Sequence, residues 1–390
     1  MEPQLLTLCN IQINTVACGW DHTVLTSMSG EVWCKGDDSF GQCSGSSEQS
    51  QIDSFQRLSI NAHATIAFAG FRHSAIVDSD GQAWLWGDNS RGQCAAAASA
   101  ASPTAAQTSI GMPSTSEKKD TVLRKIRMGK HAARASAPSL LAAPSGHCPC
   151  AEPGCSMHIR LAALGCRHSI FLTACGLVLS MGDNAWGQCG RGHCSRSESL
   201  GVVLAKPPTG TNTSPQPATA AAAAAGAAHV TADGEKCVLR AGCVPGADDE
   251  ARAGALEHLV GATSIVSGWH FAAAACSTNN TNQVYTWGQN TMGQLGLGHL
   301  RPGVQDREPC ARLVSSLPEG CFALAAGSNH ILAAVGDSGR LFSWGWNEHG
   351  NLGLGNSENA LTPTQVAVAG AAVAAVGAGG AVSYLKTTGK

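Results

Sequence analysis

The stretch ACGWDHTVLTSMSGEVWCKGDDSFGQC, residues 17–43, holds two short apolar runs, each followed by a turn rich in glycine. Four later stretches follow the same plan, at 68–94, 163–189, 266–295 and 325–352. The two fixed glycines of each stretch lie 17, 17, 17, 20 and 18 residues apart, and are Gly19 and Gly36, Gly70 and Gly87, Gly165 and Gly182, Gly268 and Gly288, and Gly327 and Gly345. A unit of this length cannot bury its own apolar face, so the repeats must stack on one another.

Each stretch has the local chemistry of antiparallel hairpins. A glycine such as Gly30 or Gly81 ends the turn between the apolar runs and supplies the positive backbone angle that tight turns require. The second fixed glycine opens a turn of pattern G-x-N-x-x-G, in which Asn tolerates left-handed geometry. About four short strands in each unit of roughly fifty residues predict an all-β chain built as the blades of a propeller.

Two intervals between repeats are nearly double the others, and their composition favours insertions over hidden repeats. Residues 95–118 and 201–228 are dominated by Ala, Ser, Thr, Gly and Pro, which cannot bury enough surface to offset their ordering entropy. We therefore predict one propeller domain over residues 1–390, with disordered insertion loops at about 95–158 and 195–260. The segment 229–244 remains an alternative, as a decayed repeat.

The repeats resemble those of the regulator of chromosome condensation family. The clearest match is YTWGQNTMGQLGLG, residues 285–298, which is similar to the family signature W-G-x-N-x-x-G-Q-L-G. Residues 17–43 and FSWGWNEHGNLG, residues 342–353, resemble the branch of the secretion-regulating guanine nucleotide exchange factor and the yeast alpha-tubulin suppressor protein. The resemblance covers residues 15–386 apart from the insertions, and it implies a seven-bladed β-propeller.

The repeat count falls short of seven. Five full copies are visible, followed by the half copy VAAVGAGGAVSYLKTTG, residues 373–389. Because propellers close by letting one terminus complete a blade that the other began, LLTLCNIQI, residues 5–13, is a candidate partner for the half copy. Without such a partner, two sheet edges stay open.

The residues that follow the first glycine of each repeat vary while their flanks are constant. The constant flanks are a packing frame, so the variable side chains should project around one face of the ring. Trp, Phe and Arg at these positions resemble the composition of protein interface hot spots, although packing between blades is an equal alternative. The candidate partner-binding residues are Trp20, Asp21, Phe71, Arg72, Arg167, Trp269, His270 and Asn329, together with Trp346, Glu348 and His349 in the turn GWNEHG.

Histidine recurs at one repeat position, as His22, His73, His168 and His330. A ring of equivalent histidines favours a structural role, with a ring nitrogen bonded to a neighbouring strand, over catalysis. The sequence has no phosphate-binding glycine loop followed by Lys, no G-x-S-x-G elbow and no paired histidines on a helix. We therefore expect no bond chemistry and no cofactor.

One segment has ligands that zinc accepts. Cys148, Cys150, Cys155 and His158 lie within eleven residues of one another in HCPCAEPGCSMH. The usual two-residue spacing between paired cysteines is absent, which favours the interpretation without a metal. The cysteines in general are expected to be free thiols, and three of them, Cys43, Cys94 and Cys189, stand where the family has Leu and are predicted to be small core side chains.

Composition narrows the class of protein. A net charge of −2, with only 13% charged residues, disfavours a nucleic-acid protein that depends on neutralising phosphates. The apolar run 366–382 is too short and too rich in Ala and Gly for a membrane span, and it aligns with the repeat. The start MEPQLLTLCN lacks the features of a secretory signal, so we expect the protein in the cytoplasm, the nucleus or both. We also expect it to be a monomer.

The resemblance implies two candidate functions. In the family, the propeller face presses on a small GTPase and weakens nucleotide and magnesium binding, which would make this chain a GTPase regulator or guanine nucleotide exchange factor, with Asp21 as the acidic residue to test. The tubulin-suppressor branch instead implies a scaffold for a small zinc protein in diphthamide synthesis and tRNA wobble-uridine modification. We therefore expect a non-catalytic interaction protein, with exchange activity as the leading hypothesis.

Overall fold

The computed structural model describes residues 11–46, 49–95, 158–206, 257–278, 281–300, 306–370 and 372–388, together with the backbone of 124–126. Within these ranges the chain forms strands and turns, and no helix is long and apolar enough to cross a membrane. Residues 5–10 of the candidate closing segment, the candidate decayed repeat 229–244 and most of the two insertions lie outside these ranges.

The first three sheets are four-stranded antiparallel meanders, which we call blades 1 to 3. Blade 1 consists of β1 (Ile13–Cys18), β2 (His22–Ser27), β3 (Val32–Asp37) and β4 (Gln51–Leu58). Blade 2 consists of β5 (Ala64–Ala69), β6 (His73–Asp78), β7 (Ala83–Gly87) and β8 (Arg124–Ile126). Blade 3 consists of β9 (Ile159–Leu164), β10 (His168–Thr173), β11 (Val178–Asn184) and β12 (Ser195–Val202).

The remaining described strands form blades 4 and 5 and a half blade. Two short strands, β13 (Leu204–Ala205) and β14 (Glu257–His258), extend blade 4, whose own strands are β15 (Ala262–Ser267), β16 (Phe271–Thr278), β17 (Thr281–Gln289) and β18 (Arg307–Leu313). Blade 5 consists of β19 (Cys321–Ala326), β20 (His330–Val335), β21 (Arg340–Gly345) and β22 (Ala360–Val366). The half blade pairs β23 (Val373–Gly379) with β24 (Val382–Thr387).

This architecture confirms the all-β propeller predicted from the repeats, with five full units and a sixth of two strands among the described residues. The apolar run 366–382 forms strands, as expected. The predicted bounds of the insertions are wrong, because four strands, β8 and β12 to β14, lie inside them. Ser195–Val202 is the outer strand of blade 3, paired with β11, and Arg124–Ile126 is the outer strand of blade 2, paired with β7. An outer strand has one edge in solvent, so it can be polar or very short. Its sequence then lacks the alternation of apolar and polar residues that would identify a strand.

The core lies between the blades. Each of five buried clusters combines side chains from two adjacent blades, for example Leu85 of blade 2 with Phe171 and Leu179 of blade 3. The predicted core cysteines Cys43, Cys94 and Cys189 are buried with at most 1% exposure, at the position that Leu295 and Leu352 fill in blades 4 and 5. Burying a Leu or Phe side chain stabilises the fold by about 1.5–3 kcal/mol, so the stacking predicted for the repeats is the main source of cohesion.

Backbone hydrogen bonds join successive blades at both ends of the strands. At one end, which we call the turn face, the turn between the first and second strands of each blade donates an N–H to a carbonyl of the next blade. These bonds run from Trp20 to Gly70, Phe71 to Gly165, Cys166 to Trp269, Trp269 to Ser328 and Ser328 to Gly380, at 2.8–3.3 Å. At the opposite end, hairpin carbonyls such as that of Gly30 accept from the next blade, here from Ala64 N–H at 3.0 Å.

The sides of the first and last units are exposed. Val16 of β1 is 56% exposed and Tyr384 of β24 is 65% exposed, whereas the second strands of blades 2, 3 and 5 are buried along their whole length. Within the described residues, β24 pairs only with β23.

The second fixed glycine of each repeat is required by geometry. Gly182 has φ +104°, and a Cβ there would lie 2.5 Å from the carbonyl oxygen of Arg167. The equivalent glycines of the other four blades have φ between +101° and +123° and comparable clashes. Only glycine is compatible with both the backbone angle and the close approach of the turn.

We predict that Gly182→Ala lowers the free energy of unfolding by at least about 3 kcal/mol, because the substitution combines backbone strain with a clash. Gly45→Ala is the control, since Gly45 has φ +75° and a Cβ added there would have nothing within 4 Å. It should cost only about 1–2 kcal/mol, the ordinary penalty of the left-handed region. Urea denaturation of both variants measures the difference, and equal losses would contradict the close approach.

Candidate functional site

Two loops of each blade meet on the turn face. The turn after the first strand carries the variable residues, and the loop after the third strand packs against it through one backbone bond per blade. These bonds run from the N–H of Asp37, Asp88, Asp183, Gln289 and Trp346 to the carbonyls of Asp21, Arg72, Arg167, His270 and Asn329, at 2.8–2.9 Å. The variable positions of all five blades are therefore held at the same level of the ring.

A capping side chain fixes the second loop in each blade. In blade 3, Asn184 Oδ1 accepts the N–H of Cys189 at 2.9 Å, and Asp38 serves in the same way for Cys43 in blade 1. Asn89, Asn290 and Asn347 repeat the bond in the other blades. Asn and Asp suit this role because their short side chains bond to backbone a few residues away.

Three of the predicted residues form one aromatic cluster, which we call the aromatic trio. The ring centroid of Trp20 lies 5.1 Å from that of Phe71 and 5.4 Å from that of Trp269, and the rings of Phe71 and Trp269 are 6.2 Å apart. These residues come from blades 1, 2 and 4, so the trio joins blades that are not all neighbours in the ring. Trp20 is 49% exposed, which leaves an apolar surface at the centre of the turn face.

Arg72 stands beside the trio in a fixed position. Its guanidinium carbon lies 4.3 Å from the ring centroid of Phe40 and 5.0 Å from that of Phe71, within the range of cation–π attraction. Burial raises the pKa of Asp37, but hydrogen bonds from Ser39 and Gln42 and the charge of Arg72 outweigh it and leave that pKa below its ordinary value. Gln42 Nε2 donates to Asp37 Oδ2 at 2.6 Å, so this acid is held ionised and oriented.

The other predicted residues occupy the rim of the turn face. His270 lies beside Trp186, with ring centroids 6.4 Å apart, and burial lowers its pKa, with Arg167 adding to the effect and Asp183 opposing it. Asp21 and Arg167 are exposed. In blade 5, Trp346 packs edge-on against His349 at 5.0 Å and donates from Nε1 to Glu348 at 3.3 Å. Asn329 accepts a bond from Gln294, and Ser328 at the equivalent variable position is buried.

Sequence reasoning missed Phe40 and Trp186, which contact the predicted residues. Both precede the second turn glycine of their blade, a position that also varies within a constant frame. Its occupants are Phe40, Arg91, Trp186, Met292 and His349. The criterion that selected the first turn would have found them if it had been applied to the second.

The four repeated histidines lie below this surface. They are buried between blades, and each places Nε2 within 3.0 Å of a serine hydroxyl. Of the candidate zinc ligands, only His158 lies among the described residues. Its carbonyl accepts the N–H of Ala174, and its Cβ packs against Gly81, so it occupies a blade-to-blade contact. No group of three or more potential metal ligands is found in the described part of the chain.

Comparison with known proteins identifies the repeat. Two profiles, each described as "Regulator of chromosome condensation (RCC1) repeat", match residues 281–334 and 338–385, and residues 13–42, 65–93 and 323–351. The chain carries RCC1 repeats. The matches fall on blades 1, 2, 4 and 5 and on the half blade.

The relatives of this RCC1-repeat protein include the exchange factor named in the predicted branch. Secretion-regulating guanine nucleotide exchange factor of Mus musculus is 35% identical over 27% of this chain and 24% of its own length. The Bos taurus protein of the same name is 26% identical over 92% of this chain and 61% of its own length. Ultraviolet-B receptor UVR8 of Arabidopsis thaliana is 24% identical over 93% of this chain. The chain thus spans about 60% or less of the length of these relatives.

Two solved structures are also similar to this chain. Human WBSCR16 matches with a TM-score of 0.46 at 19% identity, covering 97% of this chain and 87% of that one. Prp20p of Saccharomyces cerevisiae, described with its binding properties to Gsp1p and histones, matches with a TM-score of 0.47 at 18% identity, covering 96% of this chain and 82% of that one. The propeller assignment itself follows from the sheet topology and the repeats.

The aromatic trio predicts a coupling between blades 1 and 4. In a double-mutant cycle, Trp20→Ala and Trp269→Ala should be non-additive by about 1 kcal/mol, because each single variant already removes the same ring contact. The cycle of Trp20→Ala with Trp346→Ala is the control and should be additive within about 0.5 kcal/mol, since Trp346 contacts His349 instead. Urea unfolding of the six proteins measures both, and an additive Trp20 and Trp269 pair would refute the trio.

Proposed function

We propose that this RCC1-repeat propeller is an interaction protein that regulates a small GTPase and binds it through the turn face. The observation that carries the proposal is the aromatic trio, an apolar cluster at the centre of the turn face with Trp20 49% exposed. Similarity to proteins named secretion-regulating guanine nucleotide exchange factor supports the choice of partner class. The site of action would be the cytoplasm or the nucleus.

The layout of the turn face suits a protein partner. Interface hot spots consist of aromatic and Arg side chains in a packed centre, surrounded by a polar rim that excludes water. Trp20, Phe71 and Trp269 would be the centre, with Arg72 beside them over the Phe40 ring and its charge attracted to that of Asp37. The rim carries both signs of charge, including Asp21, Arg167 and Glu348, which matches a mixed protein surface better than a polyanion.

Exchange activity would follow from differential binding alone. A face that binds the nucleotide-free GTPase more tightly than the nucleotide-bound form speeds nucleotide release without any bond chemistry. Asp21 is an exposed carboxylate directly beside Trp20 and would meet a cationic side chain of the partner. Asp21→Asn should therefore slow nucleotide release while leaving the propeller folded.

A pull-down with the purified full chain tests the proposal. Lysate is presented with magnesium or with EDTA, which strips nucleotide from GTPases, and bound proteins are identified by mass spectrometry. A small GTPase enriched by EDTA, whose labelled GDP is released faster by the purified propeller, would support a regulator. A small zinc protein retained in both conditions, with no GTPase, would contradict it and favour the scaffold function.

Matched variants locate the binding face. Trp20→Ala, Arg72→Ala and Trp269→Ala together should weaken GTPase binding at least about tenfold, since loss of hot-spot residues costs more than about 1 kcal/mol each. The control combines Met28→Ala, Arg57→Ala and Asp337→Ala, three exposed residues of the opposite end of the ring. It should bind as the wild type does. Thermal unfolding of both variants shows whether a binding loss reflects an altered fold, and equal binding by the two would exclude the turn face.

A further inference from the structure

The buried histidines form one repeated device between blades. His22 Nε2 lies 2.9 Å from Ser74 Oγ, and His73 Nε2 lies 3.0 Å from Ser169 Oγ, so each bond crosses to the next blade. His168 repeats the bond with Ser267, and His330 repeats it with Ser383, at 2.9 Å. Four of the five described junctions therefore contain a histidine-to-serine bond.

The hydrogen bonds of Ser74 and Ser169 fix the tautomers of His22 and His73. Ser74 Oγ donates its proton to the carbonyl of Gln42 at 2.7 Å, and Ser169 Oγ donates to the carbonyl of Gln93 at 2.8 Å. A hydroxyl has one proton, so each serine must accept from the histidine, which carries its proton on Nε2. Nδ1 of His22 and His73 is then the unprotonated nitrogen, and Nδ1 is buried without a hydrogen-bond partner in all four histidines.

Protonation of these rings would place an N–H on Nδ1 with no acceptor. Burial lowers the pKa of His22, His73 and His330 to about 4 and that of His168 to about 3. Some neighbours favour the protonated ring, but less strongly than burial opposes it. They are Asp37 for His22, Asp88 and the His168 carbonyl for His73, and the Phe271 carbonyl for His168. His22 opposes the charge on His73, and His270 and His73 oppose it on His168.

The junction between blades 4 and 5 is built differently. Phe271 replaces histidine and occupies the same space, since a Cβ on Gly268 would meet its ring as a Cβ on Gly19 would meet that of His22. The serine position of blade 5 holds Ile331, which packs with Phe271 in one apolar cluster. This junction thus has two side chains without ionisable groups where the other junctions have a histidine bonded to a serine.

We propose that the histidine junctions are a pH-sensitive seam, which opens on mild acidification while the junction between blades 4 and 5 stays closed. A histidine with a lowered folded pKa stabilises the closed junction fully above its open-state pKa near 6.5, and this stabilisation is lost as the pH falls toward 4. The turns that carry Trp20, Phe71 and Arg167 directly precede His22, His73 and His168. Opening of the seam would therefore make these turns less ordered.

Hydrogen exchange within one molecule tests the seam. The amide of Trp20 bonds to the Gly70 carbonyl across the junction of blades 1 and 2, and the amide of Gly320 bonds to the Asn282 carbonyl across that of blades 4 and 5. Between pH 7.5 and pH 5, after correction for the intrinsic exchange rate, protection of the Trp20 amide should fall about 30-fold, as expected for a pKa of about 4 closed and 6.5 open. Protection of the Gly320 amide should change by less than about threefold.

A double substitution copies the resistant junction onto a sensitive one. His22→Phe with Ser74→Ile reproduces the pair Phe271 and Ile331, and the Gln42 carbonyl keeps its bond from Trp86 Nε1 at 2.9 Å, as the Gln294 carbonyl does from Trp344. In this variant the protection of the Trp20 amide should no longer depend on pH. Equal acid loss at both junctions of the wild type would overturn the proposal, even if the variant does not fold, and so would a variant that folds and keeps the wild-type pH dependence.

Discussion

Every described junction between full blades depends on the loop that follows a third strand. In all four junctions a buried glutamine carbonyl of that loop is the acceptor for the next blade. The Gln42 carbonyl accepts both Ser74 Oγ and Trp86 Nε1, and the Gln294 carbonyl accepts Trp344 Nε1. Because these carbonyls are buried, an unmade bond would cost about 1–3 kcal/mol. The loop must therefore keep one conformation, and the recurring features of the repeat serve that requirement: the capping Asn or Asp, the positive-φ glycine and the small or branched core residue after the glutamine.

A frame this constrained leaves other positions of the same loops free to vary. The residues after the first glycine and before the second turn glycine have their backbone fixed by neighbouring blades, while their side chains project from the turn face. Function in repeat proteins resides in such variable positions on a common scaffold. The contact of Trp20, Phe71 and Trp269 shows how residues far apart in the chain become one surface, because equivalent positions of a ring all converge toward its axis.

The sequence predicted those features that repeat. Glycine spacing and Asn turns identified the blades, because packing demands them in every unit, and the count of five units and a half agrees with the sheets. Features found in one place only were missed or misplaced. The outer strand Ser195–Val202 was missed because its sequence is polar. The aromatic trio could not be predicted without the radial geometry that brings the first turn of blade 4 beside that of blade 1. The exception at Phe271 was visible in the sequence, but its meaning required the histidine bonds of the other junctions.

The importance of the glutamine carbonyl can be measured by comparing two tryptophans. Trp344→Phe removes the donor to the Gln294 carbonyl, whereas Trp33→Phe removes an indole N–H that is buried without a partner. If the junctions depend on this carbonyl, urea unfolding will show that Trp344→Phe costs at least about 2 kcal/mol more than Trp33→Phe, since only the first leaves a buried acceptor unpaired. Equal costs for the two substitutions would contradict the account.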